Sequence, residues 1–123
     1  MTAAQKKPKL LIVEDEPLTR WFLRDVLRVD GYLVEEAGTA EQAILMLEER
    51  GYQAVVTDIE MPGDLNGLDL AWAVAVRWPQ TGVVITSGQT LPAPKDMPPR
   101  AKFVAKPIHM AVLLQAVGEV IKA

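Results

Sequence analysis

Asp58 closes an apolar run, Ala54-Val55-Val56-Thr57-Asp58, and is followed by Ile59-Glu60-Met61-Pro62. A buried strand that stops on a bare carboxylate and turns at a proline is a good place for a reactive acid. Three other strand-like runs also end on polar groups: Glu14-Asp15, Ser87 and Lys106. Acid, acid, hydroxyl and amine at four strand ends describe a phosphoryl-transfer site built around a hard metal ion. Asp58 is the candidate nucleophile, because a carboxylate can form an acyl phosphate. The Ser87 hydroxyl can donate to a phosphoryl oxygen, and the Lys106 ammonium can neutralise one as a point charge.

In an open parallel sheet the ligand site lies outside the carboxyl ends of the strands, where strand order reverses. With order 2-1-3-4-5, strands one and three are neighbours there, and Glu14, Asp15 and Asp58 converge. Three carboxylates in one crevice repel and raise one another's pKa values. A cation removes the conflict. Oxygen ligands without His or Cys favour Mg²⁺, with Mn²⁺ as the substitute. Singly, each residue has a plainer reading. Asp15 can cap a helix, and Asp58 can be a turn residue before Pro62. Ser87-Gly88 can be an ordinary turn, and Lys106 a surface lysine. The weight lies in the combination, since four of five strands carry a suitable group at the same end.

The elements that must position these groups follow from periodicity. Lys9 to Val13 is a short apolar run suited to burial on both faces. Pro17 opens a helix in which Leu18, Phe22, Leu23, Val26 and Leu27 form the apolar stripe until Gly31. Tyr32 to Ala37 is the second strand. Thr39, with Gln42 three residues on, caps a helix carrying Ala43, Ile44 and Leu47 that Gly51 ends. Residues 53–57 are the third strand. Asn66 or Gly67 begins a helix with Leu68, Ala71, Val74 and Ala75 inward, stopped near Trp78-Pro79. Gly82 to Thr86 and Lys102 to Ala105 are strands four and five. Ile108 to Ile121 is the last helix, with Val112, Leu113, Ala116, Val117 and Val120 inward. The alternation predicts an α/β fold: a doubly wound, flavodoxin-like, five-stranded parallel sheet of order 2-1-3-4-5 with helices on both faces. Between strands four and five, residues 88–100 contain four prolines. A normal helix there is disfavoured, so the fourth helix of the alternation is expected to be short or missing.

Composition bounds the rest. The chain has 123 residues, half of them apolar, a net charge of −3 and no cysteine. One domain is expected over residues 9–123, after a loose tail at 1–8. The charge balance argues against direct nucleic-acid binding. The apolar run at Leu10 to Val13 is too short for a signal peptide or membrane span, and a cytoplasmic location is expected. His109 reads as a surface residue at a helix start. Trp21, Trp72 and Trp78 read as packing on helices.

With these pieces in order, the sequence resembles the receiver domain of two-component response regulators. The matching segments are Leu11-Ile12-Val13-Glu14-Asp15-Glu16, Val56-Thr57-Asp58-Ile59-Glu60-Met61-Pro62, Asn66-Gly67-Leu68-Asp69-Leu70, Val84-Ile85-Thr86-Ser87-Gly88 and Phe103-Val104-Ala105-Lys106-Pro107. The resemblance implies that Asp58 accepts phosphate from a sensor histidine kinase or phosphotransfer protein. It implies Mg²⁺ held by Asp15, by Glu14 through water, by Asp58 and by the backbone carbonyl of Glu60. Ser87 is then the switch hydroxyl, Lys106 the partner of Asp58 or its phosphate, and Phe103 the aromatic that swings inward. The function implied is a signalling switch rather than an enzyme. Phosphorylation changes the surface near strands four and five and so controls a downstream protein or passes phosphate on.

Two departures stand out. Four residues, Gly63-Asp64-Leu65-Asn66, separate Pro62 from Gly67, where the family more often has three. The proline-rich stretch falls where the family places a helix of its dimer face, so a monomer or weak dimer is expected. The chain resembles stand-alone receivers. The rival reading is a phosphorylation-independent pseudo-receiver adaptor, motivated by that proline-broken connection.

Overall fold

The computed structural model describes residues 7–121. Most of the expected N-terminal tail, residues 1–6, therefore lies outside the described residues. Five strands run in chain order: β1 (Lys9–Val13), β2 (Leu33–Ala37), β3 (Ala54–Asp58), β4 (Gly82–Ser87) and β5 (Lys102–Ala105). Four α-helices alternate with them: α1 (Pro17–Val29), α2 (Ala40–Glu49), α3 (Gly67–Arg77) and α4 (Met110–Ile121). The strands form one parallel, flavodoxin-like sheet of order β2-β1-β3-β4-β5.

Strand alternation splits the core in two. Leu10, Ile12, Ala54, Val56, Val84 and Val104 face one side, where they pack with Leu23 and Leu27 of α1 and Leu113 and Val117 of α4. Leu11, Val13, Val55, Val83 and Ile85 face the other, against Ala43 and Leu47 of α2 and Leu70, Ala71 and Val74 of α3. Every residue of β3 is buried, so this central strand carries Asp58 on the most enclosed backbone of the sheet.

Caps set the helix starts. Thr39 Oγ1 accepts from Gln42 N–H at 3.0 Å, as the spacing predicts. Asn66 and Asp69 form a reciprocal capping box at α3. At α1 the cap is Glu16, whose side chain accepts from Thr19 N–H at 2.6 Å, so Asp15 is free of the capping role.

Three expectations are corrected. The fourth α-helix in chain order is present: α4 is a regular 12-residue helix following β5. The β4–β5 crossover itself holds a 3₁₀ turn, Pro94–Asp96, because its prolines remove the N–H groups a longer helix would use. Its far end is tied down by the Trp72 indole N–H, which donates to Asp96 O at 2.9 Å. Leu18 and Val112, expected inward, are 75% and 50% exposed. Helical periodicity gives the direction of a side chain but not whether anything lies in that direction. Leu18 borders an open groove with Phe22, Pro107 and Ile108 instead.

The turn between β3 and α3 is held by a close approach of backbone to backbone. A Cβ on Gly67 would sit 1.9 Å from the Asp58 carbonyl oxygen, and Gly67 N–H donates to Ile59 O at 3.0 Å. Helix propensity alone would favour alanine here. The overlap is with backbone, which has no rotamer to yield, so sterics should win. Gly67→Ala is expected to lower stability by about 3 kcal/mol or more. Urea unfolding checks this; an unchanged midpoint would mean that α3 can slide away from Asp58 at little cost.

Candidate functional site

The sheet order brings the carboxyl ends of β1 and β3 together, and with them the acids. Glu14, Asp15 and Asp58 each offer a carboxylate oxygen within 4.8 Å of the others. Glu14 and Asp58 are buried, at 1% and 4% exposure, while Asp15 faces solvent. Lys106, just past the end of β5, reaches into the cluster. Its ammonium donates to Glu14 Oε1 at 3.0 Å and lies 3.5 Å from Asp58 Oδ1. The resemblance implied a pairing with Asp58 or its phosphate; Lys106 does pair with Asp58, and lies closer still to Glu14.

The two buried acids are unequally satisfied. Glu14 has both oxygens engaged, one by Lys106 and the other by Glu16 N–H at 3.1 Å. Arg20 of α1 also donates to the Glu14 backbone carbonyl at 2.8 Å, fixing the end of β1. Asp58 Oδ1, by contrast, is buried and accepts no hydrogen bond. Burial, then the charge of Glu14, push the Asp58 carboxyl up to about 6, against the pull of Lys106. Burial draws Lys106 down, but the bond and charge of Glu14, then Asp58, hold it above its ordinary value.

This donor set fits a hard divalent cation. The acids supply only oxygen, one buried oxygen lacks a donor, and one acid is open to water. Asp58 and the exposed Asp15 have capacity for direct ligation. Glu14 does not, because its oxygens already serve Lys106 and the Glu16 amide.

Ser87 is buried at the end of β4, as its position predicts. Its hydroxyl donates to Glu60 Oε2 at 2.6 Å and accepts from the N–H groups of Thr90 at 2.8 Å and Gln89 at 3.3 Å. Burial pushes the Glu60 carboxyl up, but hydrogen bonds from Ser87 and Thr90 hold it below its ordinary value. The residue reading considered only the backbone carbonyl of Glu60 and missed this side-chain bond. Its signal was a carboxylate at the end of one strand beside a hydroxyl at the end of the next. Phe103, on β5, is half-buried and packs with Met97 and Ala101 against the core on the α3 side. His109 and Asp64 are exposed.

Comparison with known proteins places this geometry. The family model of the response regulator receiver domain matches residues 10–118. The transcriptional regulatory protein PdtaR of Mycobacterium tuberculosis is 31% identical over 116 residues, covering 89% of this chain and 54% of PdtaR. The sensory/regulatory protein RpfC of Xanthomonas campestris is 31% identical over 95% of this chain, which spans 17% of RpfC. The response regulator receiver protein CpdR of Brucella abortus is 28% identical, covering 94% of this chain and 98% of CpdR. The crystal structure of a response regulator receiver protein from Sinorhizobium medicae superposes with a TM-score of 0.89 at 25% identity, covering 96% of this chain and 97% of the other.

The elevated Asp58 pKa has a consequence for stability. The native state holds this proton up to about pH 6, whereas an exposed aspartate loses it near 3.8. Stability therefore falls as pH rises through that window, and the deficit is complete above it. Asp58→Asn removes the crowded charge and leaves Lys106 paired with Glu14. In EDTA it is expected to raise stability by about 1–3 kcal/mol at neutral pH, with little gain below about pH 4. Denaturant titrations at the two pH values check this; a loss at neutral pH would show that Lys106 already compensates Asp58.

Proposed function

The chain belongs to the response regulator receiver domain family, and from that membership we propose that it is a signalling switch phosphorylated on Asp58. Receiver domains are signalling modules rather than enzymes, and histidine kinases phosphorylate them. The observation that carries the proposal is the convergence of Glu14, Asp15 and Asp58, with an undonated buried oxygen on the acid at the end of the central strand.

In the reaction, an Asp58 carboxylate oxygen attacks the phosphorus of a phosphohistidine. The O–P bond forms as the N–P bond breaks, and the imidazole leaves with the electron pair. Asp58 and Asp15 would hold Mg²⁺ directly, with Glu14 acting through water and the Glu60 backbone carbonyl supplying the remaining protein ligand. Bound there, the ion offsets the acid crowding and the charge of the arriving phosphoryl oxygens. Lys106 stands within reach of Asp58 and can turn from Glu14 to a phosphoryl oxygen. Ser87 gives its hydrogen bond to another phosphoryl oxygen, and Phe103 follows inward into the space beside β4. The receiver unit is residues 9–123, and the surface that changes lies near β4, β5 and their crossover. Among the described residues no helix is long and apolar enough to cross a membrane, and the setting proposed is cytoplasmic.

Phosphorylation is directly testable. With acetyl phosphate and Mg²⁺, wild type should gain one phosphoryl group by intact mass. Asp58→Ala and wild type in EDTA should gain none, and Lys106→Ala should react about tenfold more slowly or worse. Equal labelling of wild type and Asp58→Ala would place the phosphate on another residue and contradict the assignment, and no labelling of wild type would favour a phosphorylation-independent adaptor.

A further inference from the structure

We propose that the Glu60 side chain is a positioning residue, a latch whose carboxylate holds the Ser87 hydroxyl in the resting state. The proposal deepens the reading of Asp58 as phosphoacceptor and rests on it. A serine has one hydroxyl hydrogen. Here that hydrogen is committed to Glu60 Oε2 at 2.6 Å, a short charge-assisted bond from a serine that is 1% exposed. The serine end of this bond is closed to water, while the Glu60 end is partly exposed. Ser87 can donate to a phosphoryl group on Asp58 only by giving up Glu60.

The latch reaches beyond the site. The same Ser87 oxygen accepts the N–H groups of Gln89 and Thr90, which open the crossover to β5. Further along, the crossover is fixed by the Trp72 indole on Asp96 O and by the buried Pro98. Movement of Ser87 therefore frees the near part of the crossover, residues 88–92, while Ala93 onward stays anchored, Ala93 N–H donating to Asp96 Oδ2 at 2.9 Å. Leu91, within that freed segment, is 80% exposed. In this chain the switched surface is an extended segment tethered at one end.

Removing a carboxylate beside Asp58 also lowers the local negative charge, so a single variant cannot separate latch from charge. A double-mutant cycle does. The variants are Glu60→Ala, Glu60→Gln, Ser87→Ala and Glu60→Ala with Ser87→Ala. The readouts are amide hydrogen exchange at Gln89 and Thr90 in the unphosphorylated protein, and binding of beryllofluoride with Mg²⁺. Glu60→Ala should speed exchange at both amides. It should tighten beryllofluoride binding about tenfold, the scale of a charge-assisted hydrogen bond. Glu60→Gln, which keeps an acceptor without the charge, should fall between. In the Ser87→Ala background the Glu60→Ala effect should shrink to about twofold or less. An equal gain in that background would assign the effect to charge alone and overturn the latch. So would unchanged Gln89 and Thr90 exchange in Glu60→Ala, whether or not wild type takes up beryllofluoride. Failure of wild type to bind beryllofluoride would overturn the phosphoacceptor reading instead.

Discussion

One ammonium serves two buried carboxylates. Lys106 sits between Glu14 and Asp58 and is closer to Glu14, and the rest of the site follows from that inequality. Glu14 is satisfied by a full hydrogen bond from Lys106 and another from backbone. Asp58 keeps an oxygen with no donor and a carboxyl that burial and Glu14 hold above its ordinary range. A buried charge left partly unpaired is costly in a stable fold. It is useful where a cation and a phosphoryl group are to arrive, because both relieve the crowding that the protein leaves in place.

The fold exists to impose this crowding. Two independent cores clamp the sheet from either side, so the ends of β1 and β3 cannot splay to separate their acids. Gly67 brings the start of α3 against the Asp58 backbone. Arg20 pins the carbonyl at the end of β1. On the neighbouring strand, Ser87 is held with equal firmness, but by Glu60 and two crossover amides rather than by Asp58. The resting structure thus has two carboxylates engaged by partners that a phosphoryl group would claim, Glu14 by Lys106 and Glu60 by Ser87. A two-state switch needs such competing partners, since a ligand shifts a population only through differential interactions.

Much of this was legible in the residues. The apolar runs before Glu14, Asp58, Ser87 and Lys106 fixed four strand ends, and alternation with helices fixed the parallel sheet. Thr39 marked a cap, and Asn66 or Gly67 a helix start, that the structure contains. What remained hidden was pairwise. Nothing in the order of residues says that Lys106 prefers Glu14 over Asp58, or that the Glu60 side chain turns toward Ser87, because both depend on side-chain reach across neighbouring strands. The solvent exposure of Leu18 and Val112 was hidden for a related reason: their helices run past the surface they pack on. The prolines of 88–100 did reveal a crossover without a regular helix, since a missing N–H is a property of the residue itself.

The central claim is that Glu14, Asp15 and Asp58 share one divalent cation beside an acid that accepts phosphate. A crystal structure of the protein with Mg²⁺ and beryllofluoride tests it most directly. The account predicts the cation between Asp15 and Asp58, the beryllium on an Asp58 carboxylate oxygen, and the Ser87 hydroxyl turned from Glu60 to a fluorine. A cation bound elsewhere, or an Asp58 carboxylate left bare beside Lys106, would contradict it.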